Sequence, residues 1–136
     1  MKTLLHILYL EDCGQDAELV QFMFQAAGLQ CKIERAETRF QLLEALERSE
    51  CNLILSDSAL PGFSGLHALE LAQSLKPEIP FIFVSGNMDE ETAAQALQMG
   101  ATDYVPKNRL SRLIPAVRRA LAEASDKATP PDPGNQ

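Results

Sequence analysis

The sequence predicts an α/β fold, a parallel five-stranded sheet covered by helices on both faces. Short apolar runs alternate five times with amphipathic segments, as repeated strand–helix units do. Three of the runs, within residues 5–10, 52–57 and 81–85, are apolar almost throughout, which marks strands buried on both sides. All three stop at polar groups: Glu11-Asp12, Asp57 and Ser85-Gly86.

Strand 1 covers residues 5–10 and helix 1 residues 15–27. Ala17, Val20, Phe24 and Ala27 form one stripe of that helix, and Gly28 stops it. Strand 2, near 30–35, has the polar positions of an edge. Helix 2 covers 39–49; Thr38 and Gln41 make a capping box, and Phe40, Leu43 and Leu46 are its expected buried face. Strand 3 is 52–57. The turn Pro61-Gly62-Phe63-Ser64-Gly65 follows, with Ser64 as N-cap of helix 3, 65–75. Pro77 and Pro80 bracket the entry to strand 4, 81–85. Helix 4 is 89–99, closed by Gly100, and strand 5 is 102–105. Pro115 belongs in a first helical turn, so helix 5 runs from about Arg112, capped by Ser111, to Ala124. Residues 126–136 hold three prolines and no apolar face, and read as a disordered tail or linker after a domain spanning 1–125. With strands 1, 3 and 4 central, the arrangement is the flavodoxin-like three-layer (βα)5 sandwich, sheet order 2-1-3-4-5.

A chain of 136 residues suits one domain with its own core. Its net charge of -7 argues against direct nucleic-acid binding and against anionic membranes. Cys13, Cys31 and Cys51 are odd in number and lack CxxC spacing, which reads as reduced thiols in a cytoplasmic protein. Leu4–Leu10 superficially resembles a signal peptide, yet it contains His6, ends in Glu11-Asp12 and lacks a small-x-small cleavage site. No apolar run approaches the ~18 residues that span a bilayer.

In an open parallel sheet, ligands bind outside the carboxyl ends of the strands. Glu11, Asp12, Asp57, Ser85 and Lys107 all follow strands and so converge on that edge. Taken singly, these residues are a solvated acid pair, a turn or cap, and a surface lysine. Three carboxylates brought together cost free energy unless a cation neutralises them. Mg²⁺ accepts one or two carboxylates, several waters and phosphate oxygens. The chain has no GxxxxGK[ST] loop, no GxGxxG turn after strand 1 and no His pair at metal-ligand spacing. His6 reads as a strand residue, His67 as helix surface and Cys13 as an inert thiol.

At these residues, and over about 4–124, the chain resembles the receiver domains of two-component response regulators. The marks are Glu11-Asp12, Asp57, the Pro61…Gly65 turn, Ser85-Gly86, Gly100-Ala-Thr-Asp-Tyr104 and Lys107. The stretch Pro106–Pro115 is similar to receivers attached to hybrid sensor histidine kinases. The resemblance implies that Asp57 accepts a phosphoryl group from a phosphohistidine of a histidine kinase or histidine phosphotransfer protein. It implies Mg²⁺ (or Mn²⁺) on Asp12, Asp57 and the backbone carbonyl of Ala59, with Glu11 holding a metal-bound water. Lys107 and Ser85 would bind phosphoryl oxygens, and Tyr104 would turn inward behind Ser85. The expected output is a downstream protein reading the helix 4–strand 5–helix 5 face, from a monomer or a phosphorylation-linked dimer. Such a domain catalyses only its own phosphorylation and dephosphorylation. Two positions depart from the pattern: Asn108 follows Lys107 where proline is usual, and Ser64 stands where an acid is common.

Two other functions fit the same fold. A phosphorylation-independent interaction module typically lacks one of Asp12, Asp57, Ser85 and Lys107, and all four are present. An Mg²⁺-dependent phosphohydrolase of the haloacid-dehalogenase type needs Asp-x-Asp after strand 1, which Glu11-Asp12-Cys13 does not supply.

Overall fold

Alternating side chains on five short strands give this domain two cores, one on each face of the sheet. The computed structural model describes residues 4–48, 51–60, 62–86 and 88–128. Residues 129–136 of the expected tail, Pro61 of the expected turn and residue 49 of the second helix lie outside these. The elements are β1 (Leu5–Leu10), α1 (Gly14–Ala26), β2 (Cys31–Ala36), α2 (Arg39–Arg48), β3 (Leu53–Ser56), α3 (Gly65–Leu75), β4 (Phe81–Ser85), α4 (Glu90–Gln98), β5 (Asp103–Pro106) and α5 (Leu113–Ala128). A two-residue antiparallel pair, Ala59–Leu60 with Phe63–Ser64, precedes α3, and a 3-10 segment, Lys107–Arg112, precedes α5. The sheet is parallel with spatial order β2-β1-β3-β4-β5, the flavodoxin-like order.

Successive strand residues face opposite sides of the sheet. Leu8, Leu10, Ile54, Phe81 and Phe83 pack with Leu42, Leu46, Leu69, Ala72 and Ala96, the inward faces of α2, α3 and α4. Ile7, Tyr9, Leu53, Leu55, Ile82, Val84 and Val105 pack with Val20 and Phe24 of α1 and Leu113, Val117 and Ala120 of α5. Gly28 and Gly100 carry positive φ, 78° and 113°, where they end α1 and α4. Ser64 caps α3 by accepting from the His67 N–H at 3.2 Å, and Asp89 caps α4 by accepting from the Thr92 N–H at 2.7 Å.

Three expectations need correction. The buried face of α2 is Leu42, Ala45 and Leu46; Leu43 is half-buried, and Phe40 is 72% exposed. Phe40 lies in the first turn of α2, and the small Ala45 takes the close position against the sheet. The capping box is also displaced. Thr38 Oγ1 accepts from the Gln41 N–H as expected, at 3.1 Å, but the Gln41 amide oxygen accepts from the N–H of Glu37, at 2.7 Å. Ser111 lies inside the 3-10 segment rather than capping α5. That helix starts at Leu113, keeps Pro115 in its first turn and runs to Ala128 rather than ending near Ala124. Every peptide bond among the described residues is trans, Lys107–Asn108 included. No helix among them is long and apolar enough to cross a membrane.

The corrected face of α2 makes a direct prediction. Leu42→Ala should cost ~2–5 kcal/mol, whereas Phe40→Ser should stay within about 0.5 kcal/mol of wild type. Urea unfolding of the two variants measures both, and equal losses would restore the Phe40 face.

Candidate functional site

The ladder of the sheet carries two carboxylates to the same level. The Glu11 N–H donates to the Ala36 carbonyl at 3.0 Å, and the Asp57 N–H to the Leu10 carbonyl at 2.9 Å. Both acids are therefore the first residues past the paired ends of neighbouring strands, β1 and β3. Adjacent strands lie about 4.8 Å apart, so the side chains meet. Glu11 is buried, at 1% exposure, while the next residue, Asp12, is exposed at the rim. One carboxylate oxygen from each of Glu11, Asp12 and Asp57 lies within 4.8 Å of the others. Three hard oxygen donors at that spacing fit a divalent cation.

Lys107 arrives from the far side of the sheet. Ser85 of β4 pairs with Pro106 of β5, which sets Lys107 one residue beyond the last rung. Its Nζ donates to Glu11 Oε1 at 2.7 Å, to Asp16 Oδ2 at 2.7 Å and to Asp57 Oδ2 at 3.3 Å. Burial pulls the pKa of this ammonium down. The hydrogen bonds to Asp16 and Glu11, with the Glu11 and Asp57 charges, outweigh it and hold the group above its ordinary range. For Glu11, burial is the largest influence and raises the carboxyl pKa. The Lys107 hydrogen bond opposes that rise, the nearby Asp57 charge adds to it, and the net direction is up. Tyr9 lies below, fully buried. Burial first, then the Glu11 charge, keep its phenol protonated, and it donates to Glu11 Oε1 at 3.3 Å. The Cys13 N–H donates to Glu11 Oε2 at 3.3 Å, and Arg35 Nη1 donates to the Glu11 carbonyl at 3.1 Å.

Asp57 Oδ1 accepts from the Ser58 N–H at 2.6 Å. The Ser58 hydroxyl shares a hydrogen bond with the Ser85 hydroxyl at 2.6 Å, so Ser58 links the acid after β3 to the hydroxyl at the end of β4. Ser85 is fully buried. Tyr104 is half-buried on β5, and its hydroxyl donates to the Met88 carbonyl at 3.2 Å, tying β5 to the segment before α4. Ala59 lies exposed in the antiparallel pair after Asp57. A Cβ on Gly65 would sit 2.5 Å from the Asp57 carbonyl oxygen, so only glycine lets α3 approach this closely.

The structure thus joins Glu11, Asp12, Asp57 and Lys107 directly, and Ser85 through Ser58. Sequence reasoning passed over Asp16, Ser58 and Tyr9. An acid in the first turn of a helix that follows the acidic pair was the available signal for Asp16, and adjacency to Asp57 was the signal for Ser58. His6 lies in the first half of β1 and His67 on the exposed side of α3. Cys13 meets the site through its backbone N–H, which donates to Glu11 Oε2, and its side chain does not cap α1.

Comparison with known proteins agrees with this geometry. A family model of the response regulator receiver domain matches residues 7–118. The chain is 32% identical over 105 residues to the DNA-binding transcriptional regulator NtrC of Escherichia coli K12, covering 76% of this chain and 22% of that protein. It is 31% identical over 116 residues to the response regulator protein TodT of Pseudomonas putida F1, covering 85% of this chain and 50% of TodT. The chain thus spans half or less of the length of these relatives. Among solved structures, a CheY-like response regulator receiver domain protein from Methanospirillum hungatei JF-1 superposes with a TM-score of 0.80 at 27% identity, over 93% of this chain and all of that one. NtrX of Brucella abortus gives 0.80 at 28% identity, over 92% of this chain and 28% of NtrX.

The raised Glu11 pKa has a signed consequence for stability. The folded protein holds this proton more tightly than the unfolded chain, so the contribution of Glu11 is fully present below the unfolded value of 4.5 and is lost as pH rises toward the higher folded value. In metal-free buffer, Glu11→Gln should therefore gain stability relative to wild type as pH rises through that window. Urea unfolding at a series of pH values tests this, and parallel curves for the two proteins would refute it.

Proposed function

The chain belongs to the response regulator receiver family, and we propose that Asp57 is the residue that accepts its phosphoryl group. The donor is a phosphohistidine of a histidine kinase or histidine phosphotransfer protein. One observation carries the assignment: Asp57 directly follows a buried central strand, beside two further carboxylates, with Lys107 Nζ facing its Oδ2. An oxygen of Asp57 attacks phosphorus, the P–N bond breaks, and its electron pair leaves with the imidazole. Phosphoryl transfer of this kind needs positioning and charge neutralisation from the protein. The Ser58 N–H fixes Asp57 Oδ1, which orients the carboxylate. Lys107 supplies positive charge, first to Asp57 and then to a phosphoryl oxygen. Mg²⁺ (or Mn²⁺), when held by Asp12, Asp57 and the Ala59 carbonyl with Glu11 acting through a water, neutralises the remaining carboxylate and phosphoryl charge.

The switch follows from the charge that transfer creates. Ser85 leaves Ser58 to donate to a phosphoryl oxygen, and the Tyr104 hydroxyl leaves the Met88 carbonyl as the ring turns inward. Two positions of one bulky side chain make a bistable element on the α4–β5–α5 face, which a downstream protein reads. A hydrogen bond to a charged group contributes only ~1.5–3 kcal/mol, so this one moves an equilibrium without completing it. The presence of Asp12, Asp57, Ser85 and Lys107 together favours this reading over a phosphorylation-independent module.

Acetyl phosphate with Mg²⁺ should add one phosphoryl mass to the chain, and Asp57→Asn should abolish it; undiminished labelling of the variant sinks the assignment. Asp12→Asn should weaken Mg²⁺ binding strongly and Glu11→Gln less, with calorimetry as the measure. Equal affinities for wild type and Asp12→Asn would put the cation elsewhere. Beryllofluoride should shift amide signals through residues 85–107, and Ser85→Ala should bind the mimic yet shift them less. Changes confined to the loops after β1 and β3 would exclude output through this face.

A further inference from the structure

Lys107 has one partner that phosphoryl transfer does not use. An ammonium has three protons, and here each meets a carboxylate. The contacts to Glu11 Oε1 and Asp16 Oδ2 are both 2.7 Å, as expected for charge-assisted bonds. The contact to Asp57 Oδ2, at 3.3 Å, is longer than the usual range for N–H···O. The group is thus drawn toward Glu11 and Asp16 and stands back from Asp57. Asp16 belongs to the first turn of α1, where the helix end favours an acid whether or not Lys107 is present. Its side chain is 38% exposed and that of Lys107 is 22% exposed, so the pair lies at the open side of the site.

We propose that Asp16 is a positioning residue: it holds the Lys107 ammonium off Asp57 in the unphosphorylated protein and keeps that carboxylate open to the divalent cation. The inference rests on Asp57 being the phosphoryl acceptor. Without Asp16, the ammonium has two strong acceptors left, Glu11 and Asp57. Both belong to the carboxylate cluster that the cation needs. A cation then enters only by displacing an ammonium that has nowhere else to go. With Asp16 present, Lys107 keeps one full-strength partner on α1 while the cation takes its place beside Asp57. The same partner is released when a phosphoryl oxygen later recruits Lys107. Asp16 therefore acts through Lys107, and its effect falls on cation binding rather than on the transfer step.

A double-mutant cycle on the full chain separates this role from simple charge removal. Asp16→Asn should raise the Mg²⁺ dissociation constant measured by calorimetry about three- to fivefold, the scale of one partly exposed charge pair. In labelling by acetyl phosphate, the Mg²⁺ concentration at half-maximal rate should rise by the same factor, and the rate at saturating Mg²⁺ should change less than about twofold. Asp16→Glu should restore most of the affinity. In a Lys107→Met background, or Lys107→Gln if the first does not fold, Asp16→Asn should change Mg²⁺ affinity less than about twofold. Unchanged affinity in Asp16→Asn overturns the proposal. An equally large loss in the Lys107 background also overturns it, because Asp16 would then act by its own field. Wild-type chain that takes no phosphoryl group refutes the acceptor reading, and the calorimetric cycle still decides the role of Asp16.

Discussion

Carboxylates at the ends of neighbouring strands repel one another, and in this domain a single ammonium holds them together. Parallel pairing of β1 with β3 brings Glu11 and Asp57 to one level, and Asp12 follows on the same chain. The Tyr9 hydroxyl, which donates to Glu11 Oε1 at 3.3 Å, is neutral and does not cancel that repulsion. Lys107 does, from across the edge, with Asp16 as a further acceptor. Its own placement depends on the register of β5 against β4, since a slip of one residue would turn it to the other face. The cluster still carries more negative than positive charge. That excess suits the cluster to a divalent cation.

The backbone at Asp57 has no slack. Its N–H is committed to Leu10, and its carbonyl accepts from the Ser56 hydroxyl at 2.7 Å. The same carbonyl lies against Gly65, whose N–H is in turn bonded to the Ser58 carbonyl at 2.8 Å. If Asp57 takes a phosphoryl group, as proposed above, shifting the strand end does not accommodate the new charge. It must be met by side chains that have a second place to go. The Ser58–Ser85 pair and the Tyr104–Met88 bond offer such groups, hydroxyls whose hydrogen bonds another acceptor can take over. On the proposed reading, a rigid acceptor surrounded by exchangeable contacts would convert a local charge into a displacement on neighbouring strands.

Most of the fold was legible because its strands are short, apolar and punctuated by polar ends. Boundaries of β1, α3 and β4 follow the residues expected, and β2 is the edge that its polar positions indicate. The convergence of Glu11, Asp12, Asp57 and Lys107 follows from topology alone, since any parallel sheet in this order gathers its carboxyl ends. Details set by rotation and side-chain reach were not legible. The face of α2 turned on whether Phe40 or Ala45 meets the sheet, and hydrophobicity favours the wrong one. Asp16 looks like an ordinary first-turn acid until Lys107 is placed beside it in space. Ser58 needs the distance to Ser85 before its hydroxyl means anything.

Strand β2 ends the sheet, and among the described residues one row of its backbone N–H and C=O groups has no neighbouring strand. Such a row is a template on which a second chain can add itself, and repeated addition grows fibres. The composition of β2 works against this. Lys32, Glu34 and Arg35 bring both signs of charge into a six-residue strand, and Glu34 is fixed by Arg48 of α2 at 2.5 Å. An approaching strand must strip water from these charged groups, which costs free energy unless each is paired. The charge that β2 carries is thus a guard on solubility, placed at an edge that no other strand covers among the described residues.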